Sequence, residues 1–456
     1  MVGKGPPYEH PYGRRPVHLR HGLDRRTKAR LTELGRHLPP PSEEVARIIA
    51  ADRAGQLRRR LVIGVVVVVV LAVGVGGMVQ WYRPLPPPTL RGLAAALRTP
   101  GTAPALPWPP AGEAALDVPG IGSLGRVGGT RPVPVGVLSG VLAAYVILKD
   151  HPLPTGTATG PPIAVTPGTL AAYQAGSAAG EPEVPVSPGE SLTELAALEG
   201  LLVDSGNDMA TLLAGWDAGS TSAFVTKMAA AAASLGLGHT RVTAPGGADD
   251  AVVSTPSDLI RLAQAAMRIP LFGQIVSLGQ VTLPEAGLHY NLNSLLGTNG
   301  VVGIEAGSDT TANGCYLFAA QKTVGGRTVT LYGAVLGQSG PIGPTAAAVG
   351  AGSQLMTAAL SDLVGAPILQ AGRAIGHLSY PWGASTTVTV SRTVTIPAWP
   401  GRRVPVKARL ARLTVPVAAR ARVGWLQVRQ GSRLIEVALH AAAPLRGPSG
   451  LWRLTR

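Results

Sequence analysis

The apolar run from Leu61 to Trp81, LVIGVVVVVVLAVGVGGMVQW, constrains this chain more than any other feature. The run carries no charged residue, and as a helix it is long enough to span a hydrocarbon layer of about 30 Å. A cleaved signal peptide has a shorter apolar core at the N-terminus and a small-residue cleavage site, whereas this run starts 60 residues into the chain. We therefore predict an uncleaved, single-pass transmembrane helix over residues 61–81.

The distribution of charge predicts how this helix is oriented. Residues 1–60 have a formal net charge of +8 and end in Arg58-Arg59-Arg60, and the positive-inside rule places such a segment in the cytoplasm. The formal net charge is −6 for residues 61–366 and +13 for residues 367–456. Because two basic ends flank an acidic middle, the total of +15 does not indicate a nucleic-acid partner. We expect a cell-membrane protein with a basic cytoplasmic tail and the bulk of the chain outside the cell.

The remainder of the chain divides by composition into three segments. Residues 82–113 are rich in proline, which predicts a semi-extended extracellular spacer. Residues 114–366 mix helical stretches with strand-like runs, two of which, 313–322 and 327–337, flank a Gly-Gly turn in the pattern of a hairpin. Residues 367–456 alternate with period two, which predicts a small all-β domain whose arginine-rich face is either solvated or in contact with wall polymers or lipid headgroups.

The residues that commonly bind metals do not form a recognisable pattern. Cys315 is the only cysteine in the sequence, so the chain offers no intrachain disulfide and no cysteine-built metal site. His239, His289 and Asp249-Asp250 lack the spacing of metal ligands. We therefore predict no metal and no cofactor, and we expect Cys315 to be a small buried core residue.

Several stretches of the middle segment follow the order of a known family. They are ALDVPGIGSLG, PVGVLSGVLAAYVILKDHPL, LLVDSGNDMATLLAGWDAGS and NLNSLLGTNGVVGIEAGSDTTANGCYLFAA. Over about residues 105–340 the chain resembles the actinobacterial D-alanyl-D-alanine carboxypeptidases, serine peptidases that are low-molecular-mass penicillin-binding proteins. The resemblance implies an α/β (α+β) penicillin-binding/β-lactamase-like transpeptidase fold for residues 114–366.

The first motif of that family, Ser-x-x-Lys, lies at the start of a helix between the two halves of the catalytic domain and pairs a serine nucleophile with a lysine base. The residues on both sides of this motif keep the register here, which places Val137 at the nucleophile position and Gly140 at the base position. Both reacting groups are therefore absent. Ser139 is the nearest hydroxyl, but Leu142 stands three residues beyond it, so Ser139 does not begin a shifted Ser-x-x-Lys motif.

The other two motifs bind the substrate peptide in the family. Ser-x-Asn is intact here as Ser205 and Asn207, whereas Lys-Thr-Gly is replaced by Glu305, Ala306 and Gly307. The lysine of the family motif grips the terminal carboxylate of the peptide. Two charges about 4 Å apart at a protein surface interact by about 4 kcal/mol, attracting when opposite and repelling when alike. We therefore expect Glu305 to oppose the carboxylate that the family binds.

These losses predict a membrane-anchored, carboxypeptidase-like wall protein that is catalytically inactive, a pseudoenzyme. Its expected role is binding or scaffolding in peptidoglycan metabolism, with a peptidoglycan stem peptide or a wall polymer as ligand. Two alternatives stay open: an active serine-type D-Ala-D-Ala carboxypeptidase with an unorthodox nucleophile, and a membrane adaptor that acts through its cytoplasmic tail. The sequence does not identify a protein partner.

Overall fold

The computed structural model describes residues 25–34, 36, 42–156, 158–247 and 251–456. Part of the predicted cytoplasmic tail, including residues 1–24, and the Asp249-Asp250 pair lie outside these described residues. Among the described residues the helices are α1 (Arg25–Leu34), α2 (Glu43–Tyr82), α3 (Ser139–Asp150), α4 (Pro167–Ala179), α5 (Glu194–Val203), α6 (Asn207–Ala218), α7 (Thr221–Ser234), α8 (Pro256–Ala266), α9 (Pro270–Ile275), α10 (Pro344–Asp362) and α11 (Gly450–Thr455).

Helix α2 contains the whole apolar run. Of the described helices it is the one that is long and apolar enough to cross a membrane, judged by length and composition. It begins after the N-cap residue Ser42 and continues to Tyr82 without a break. The short helix α11 packs beside its C-terminal end, where the Arg453 guanidinium lies 5.5 Å from the ring centroid of Trp81. These two helices belong to one compact unit, and Pro86–Pro448 form another.

The strands all lie within the second unit. They are β1 (Thr89–Arg91), β2 (Ala96–Arg98), β3 (Glu113–Val118), β4 (Gly122–Val127), β5 (Val133–Pro134), β6 (Pro162–Ala164), β7 (Ser191–Thr193), β8 (Arg241–Val242), β9 (Val252–Ser254), β10 (Gln280–Leu283), β11 (Gly287–Tyr290), β12 (Val301–Asp309), β13 (Asn313–Val324), β14 (Arg327–Gln338), β15 (Val364–Leu369), β16 (Ala374–Ser379), β17 (Ser385–Val390), β18 (Val394–Ala398), β19 (Arg403–Leu410), β20 (Arg422–Gln430) and β21 (Arg433–Ala441).

A five-stranded antiparallel sheet in the order β12-β13-β14-β3-β4 forms the centre of the first lobe. The hairpin predicted around the Gly-Gly turn is confirmed, since β13 pairs with β14 up to Val324 and Arg327. One face of the sheet packs on the apolar cluster built from α3 and α5 to α9, and the other face packs under α10. A sheet buried between helices on both faces matches the α/β expectation.

A seven-stranded sheet in the order β1-β16-β17-β21-β20-β19-β2 forms the second lobe, around its own apolar core. Its edge strands, β1 and β2, come from the segment that the sequence predicted to be a free spacer. Residues 86–113 are thus partly folded into the second lobe, because pairing satisfies the backbone groups that an open sheet edge exposes. Only residues 92–95 separate the two edge strands, so the sheet curls until its edges come close together.

Candidate functional site

Val137 lies in a short 3-10 turn, Gly136–Leu138, that leads directly into α3. Strand β5 holds the start of this turn by pairing with β9. Gly136 has a φ of 55°, and a β-carbon there would meet Oδ2 of Asp309 at 2.5 Å, so this position requires glycine. The turn fixes Val137 in the protein interior, where 3% of the residue is exposed.

Glycines from two other segments enclose Val137. On β12, a β-carbon built on Gly307 would lie 2.6 Å from Cγ2 of Val137. In the segment after β8, a β-carbon built on Gly247 would lie 2.9 Å from the Val137 amide nitrogen. These distances are shorter than side chains tolerate, so the valine and the two glycine backbones are in close contact. The position that the sequence predicted for the family nucleophile is therefore filled by a packed methyl group.

Gly140, at the family base position, faces Glu305. A β-carbon on Gly140 would lie 3.0 Å from Cδ1 of Leu201 and 3.6 Å from Oε1 of Glu305. Leu201 comes from α5 and Glu305 from β12. Their side chains thus occupy the space into which a longer side chain at position 140 would project.

The Glu305 carboxyl group is buried, with 1% of the residue exposed. Burial raises the pKa of Glu305 well above its ordinary value, and the nearby Ser205 hydroxyl lowers it to a smaller extent. No contact of normal hydrogen-bond geometry satisfies either carboxyl oxygen within the described part of the chain. Burial therefore favours the neutral form of the Glu305 carboxyl group, which is the form in which burial is least costly. Burial argues against the expectation that a negative charge on Glu305 repels a substrate carboxylate, and that expectation stays a prediction.

Ser205 and Asn207 lie at the turn between α5 and α6. Ser205 is buried and has a φ of 61°, a left-handed conformation that residues other than glycine seldom adopt. The Asn207 side chain joins two segments: its Nδ2 donates to Oε2 of Glu181 at 3.1 Å, and its Oδ1 accepts the Gly247 N–H at 2.8 Å. Because Gly247 also covers Val137, the Asn207 amide holds the segment that closes over the nucleophile position.

A cavity of about 270 Å³ beside Asn207 is a feature that sequence reasoning missed. Three acidic residues contribute to its wall, Glu181, Glu183 and Asp208. Burial and the adjacent Asp208 carboxyl raise the pKa of Glu183 to about 9. The Glu183–Asp208 pair therefore retains a proton near pH 7. The sequence contained one indication of this acidic cavity, since Asp208 directly follows the intact Ser-x-Asn motif.

Ala306 lies away from these groups, in the apolar cluster of Tyr316 and Phe318 under α10. Neighbouring residues of a strand point to opposite faces of the sheet, so Ala306 and Glu305 cannot both face the same side. Ser139 is 1% exposed, and its Oγ has no hydrogen-bond partner among the described residues. Cys315 is buried, as expected.

The structure thus brings together six of the seven motif positions, namely Val137, Gly140, Ser205, Asn207, Glu305 and Gly307. Position 140 carries no lysine, and burial favours the protonated form of Glu305 next to Ser205, which is a poor proton acceptor. Within the described ranges, no group of three or more His, Cys, Asp or Glu side chains is arranged to hold a metal ion.

The middle of the chain matches a known family. Residues 161–339 match the Peptidase S11 family model, described as D-alanyl-D-alanine carboxypeptidase. This part of the chain is similar to that family, and we call it the Peptidase S11 domain. The match begins after the segment that contains Val137 and Gly140.

Two curated relatives carry the same description. The D-alanyl-D-alanine carboxypeptidase DacB2 of Mycobacterium tuberculosis is 36% identical over 155 residues, which are 32% of this chain and 52% of that protein. The D-alanyl-D-alanine carboxypeptidase of Streptomyces sp. strain K15 is 33% identical over 158 residues, 31% of this chain and 54% of its own. The chain spans about half the length of each relative, and the resemblance seen in the sequence is confirmed.

A solved structure extends the likeness of fold beyond the Peptidase S11 domain. The crystal structure of a peptidoglycan synthesis regulatory factor (PBP3) from Streptococcus pneumoniae aligns with 73% of this chain and 99% of its own, at a TM-score of 0.53 and 17% sequence identity. The predicted penicillin-binding fold is confirmed.

Proposed function

We propose that this protein is a membrane-anchored, extracytoplasmic wall protein whose Peptidase S11 domain is catalytically inactive and serves a binding or scaffolding role in peptidoglycan metabolism. The packing at Val137 and Gly140 carries this proposal. The space of the nucleophile is filled by a valine methyl group that contacts Gly307, and the space of the base is filled by Leu201 and by Glu305, whose neutral form burial favours.

The chemistry of acyl transfer supports inactivity. A serine-type enzyme needs a nucleophilic oxygen and a nearby base that takes its proton. Val137 and Gly140 supply neither, and loss of the nucleophile alone lowers turnover by a factor of about 10⁶ in a serine peptidase. The Asn207 amide, which the family uses toward substrate, is engaged by Glu181 and Gly247.

The first compact unit supports membrane anchoring. Helix α2 is apolar and exposed along the run from Leu61 to Val79, and Arg58-Arg59-Arg60 precede that run. Trp81 and Tyr82 follow it, as expected of aromatic residues at a membrane surface. The proposed orientation has the N-terminal tail in the cytoplasm and the second unit outside.

The acidic cavity beside Asn207 supports retention of a binding role. Its volume of about 270 Å³ and its mixture of alanine and carboxyl groups suit part of a peptide that carries an amino group. We propose a peptidoglycan stem peptide as its ligand.

Inactivity is tested by labelling with fluorescent penicillin. The full chain in neutral detergent is incubated with the probe and measured by gel fluorescence and by intact mass, with the Streptomyces relative as a positive control. We expect no covalent adduct. A stoichiometric adduct would overturn the proposal, and the variants Ser139→Ala and Ser205→Ala would then show which hydroxyl attacks.

The binding role is tested by sedimentation with insoluble peptidoglycan. We expect the full chain to sediment with it and the variant Glu181→Gln, in the wall of the cavity, to sediment less. Glu285→Gln removes an exposed carboxylate away from the cavity and is the matched control. Equal losses in both variants, or no sedimentation of the parent chain, would contradict this role.

A further inference from the structure

Two arginine-lined cavities lie between the two lobes of the second unit. The larger, about 340 Å³, is lined by Arg402, Arg403 and Arg429, together with Gly120 to Gly122 of the turn between β3 and β4. The smaller, about 190 Å³, is lined by Arg327, Arg392 and Arg433. No acidic side chain lines either cavity. Both are separate from the site around Val137.

The tip of the β20–β21 hairpin lies between the cavities. Gln430 Nε2 donates to the Pro397 carbonyl at 2.8 Å, and Pro397 contributes to the walls of both cavities. Gly431 lies against Gly120 of the other lobe so closely that a side chain there would overlap with its backbone. The hairpin tip is therefore held between the lobes by contacts on both sides.

The hairpin presents arginines on both of its faces. Arg433 is paired across the strands with Gln430, and Arg429 is the neighbour of Gln430 in β20. Because residues directly opposite share a face and neighbours alternate, Arg429 and Arg433 project to opposite sides. Each therefore faces its own cavity.

The charge of these arginines is largely uncompensated. None of the six forms an ion pair with a carboxylate within the described part of the chain. The Asp117 carboxylate acts on Arg402 through space, and Arg392 donates to the Glu436 backbone carbonyl at 3.1 Å. Glu436 is the one acidic residue in 367–456, so the second lobe offers almost no internal counterion.

We propose that the two cavities bind successive phosphate groups of a linear phosphodiester polymer that runs across the hairpin tip. Guanidinium groups bind phosphate oxygens through paired, charge-assisted hydrogen bonds, and clusters of three suit an anion of this kind. Two clusters that share the wall at Ile396 and Pro397 suit an anion that repeats along a chain. A thin polymer can enter both recesses, whereas a membrane surface presents its headgroups in a plane, and this difference favours the polymer.

The test uses the full chain in neutral detergent and an oligomer of glycerol phosphate, with affinity measured by calorimetry at low and moderate salt. The variants Arg403→Gln/Arg429→Gln and Arg327→Gln/Arg433→Gln each remove two cations from one cavity. The control Arg373→Gln/Arg412→Gln removes two exposed cations of the second lobe that line neither cavity. Urea unfolding of each variant verifies that it is folded.

We expect each cavity variant to bind the oligomer about tenfold more weakly and the control less than about twofold more weakly. Equal losses in the control would show attraction by net charge alone and would overturn the proposal. Absence of oligomer binding by the parent chain would overturn it as well. Binding of soluble dihexanoyl-phosphatidylglycerol without binding of the oligomer would assign the arginines to lipid headgroups and would reject the polymer. None of these outcomes depends on whether the Peptidase S11 domain reacts with penicillin.

Discussion

The Glu305 carboxyl group lies against Gly140, with its Oε1 3.6 Å from where a β-carbon of residue 140 would be. The two positions belong to different sequence motifs, one on α3 and one on β12, yet they share a single space. The two positions at which the sequence predicted the loss of a family lysine are therefore linked by packing. A residue change at one position alters what the other can accommodate.

Restoring the first motif alone is expected to leave the protein inactive. In Val137→Ser/Gly140→Lys the new lysine has to displace Leu201, and its ammonium group lies next to Glu305. The pair forms a buried ion pair that keeps the lysine protonated, so the serine has no base. We expect no penicillin adduct by intact mass and a free energy of unfolding lower by about 1–3 kcal/mol. Adduct formation in this double variant would show that Glu305 does not block the base position.

The pH dependence of stability is expected to report the protonation of Glu305. Below the ordinary pKa of 4.5 the carboxyl group is protonated in both folded and unfolded chains. As the pH rises above 4.5, the unfolded chain releases the proton while the folded chain retains it, which destabilises the folded state by up to about 1.4 kcal/mol per pH unit. This loss continues until the pH passes the raised pKa of the folded state.

The variant Glu305→Gln separates this effect from other buried carboxyl groups. Glutamine does not ionise, so the stability of the variant relative to the parent should increase as the pH rises above the ordinary pKa of 4.5, until the pH passes the raised pKa of the folded state. Urea unfolding at several pH values measures the difference. Burial also raises the pKa values of Glu183 and Glu194, but both groups are present in parent and variant, so their contributions cancel. A difference that does not change with pH would show that Glu305 is ionised in the folded protein.

Contact between Val137 and Gly307 predicts a size-dependent pair of variants. In Gly307→Ala the new methyl group would lie 2.6 Å from Cγ2 of Val137, so we expect a loss of about 1–3 kcal/mol in the free energy of unfolding. Adding Val137→Ala should recover part of that loss. Gly215→Ala on α6 is the control, because a β-carbon there has no neighbour within 4 Å. Additive effects in the double variant would argue against the contact.

The Asn207 amide is expected to stabilise the segment over Val137. Asn207→Ala leaves the Gly247 N–H without its acceptor, which should lower the free energy of unfolding by about 1–3 kcal/mol. Hydrogen exchange of the Gly247 amide should become faster in this variant. Thr211→Ala, in the wall of the same cavity but without such a bond, serves as the control. If hydrogen exchange of the Gly247 amide is the same in Asn207→Ala as in the parent, then Asn207 does not stabilise this segment.

Sequence patterns predicted the parts of the fold that local chemistry dictates. The apolar run predicted α2, the Gly-Gly turn predicted the β13–β14 hairpin, and the period-two alternation predicted the second lobe. The order of the motifs predicted which positions meet at the site, including Val137, Ser205 and Glu305. The sequence patterns did not predict contacts between distant segments. The strands at residues 89–98 pair with strands about 300 residues later in the chain, at Ser379 and Arg403.

The sequence by itself determined which reacting groups are missing, because Val137 has no nucleophilic atom and Gly140 has no side chain in any conformation. Only the tertiary structure decided which side chains fill the space of the missing groups and which protonation state of Glu305 is favoured. From the sequence alone Glu305 is expected to be an anion, but its pKa depends on how much water surrounds it, and burial beside α3 and α5 favours its neutral form. Likewise, the composition showed an excess of arginine, whereas the packing of the β20–β21 hairpin between two lobes gathered six of those arginines into two cavities.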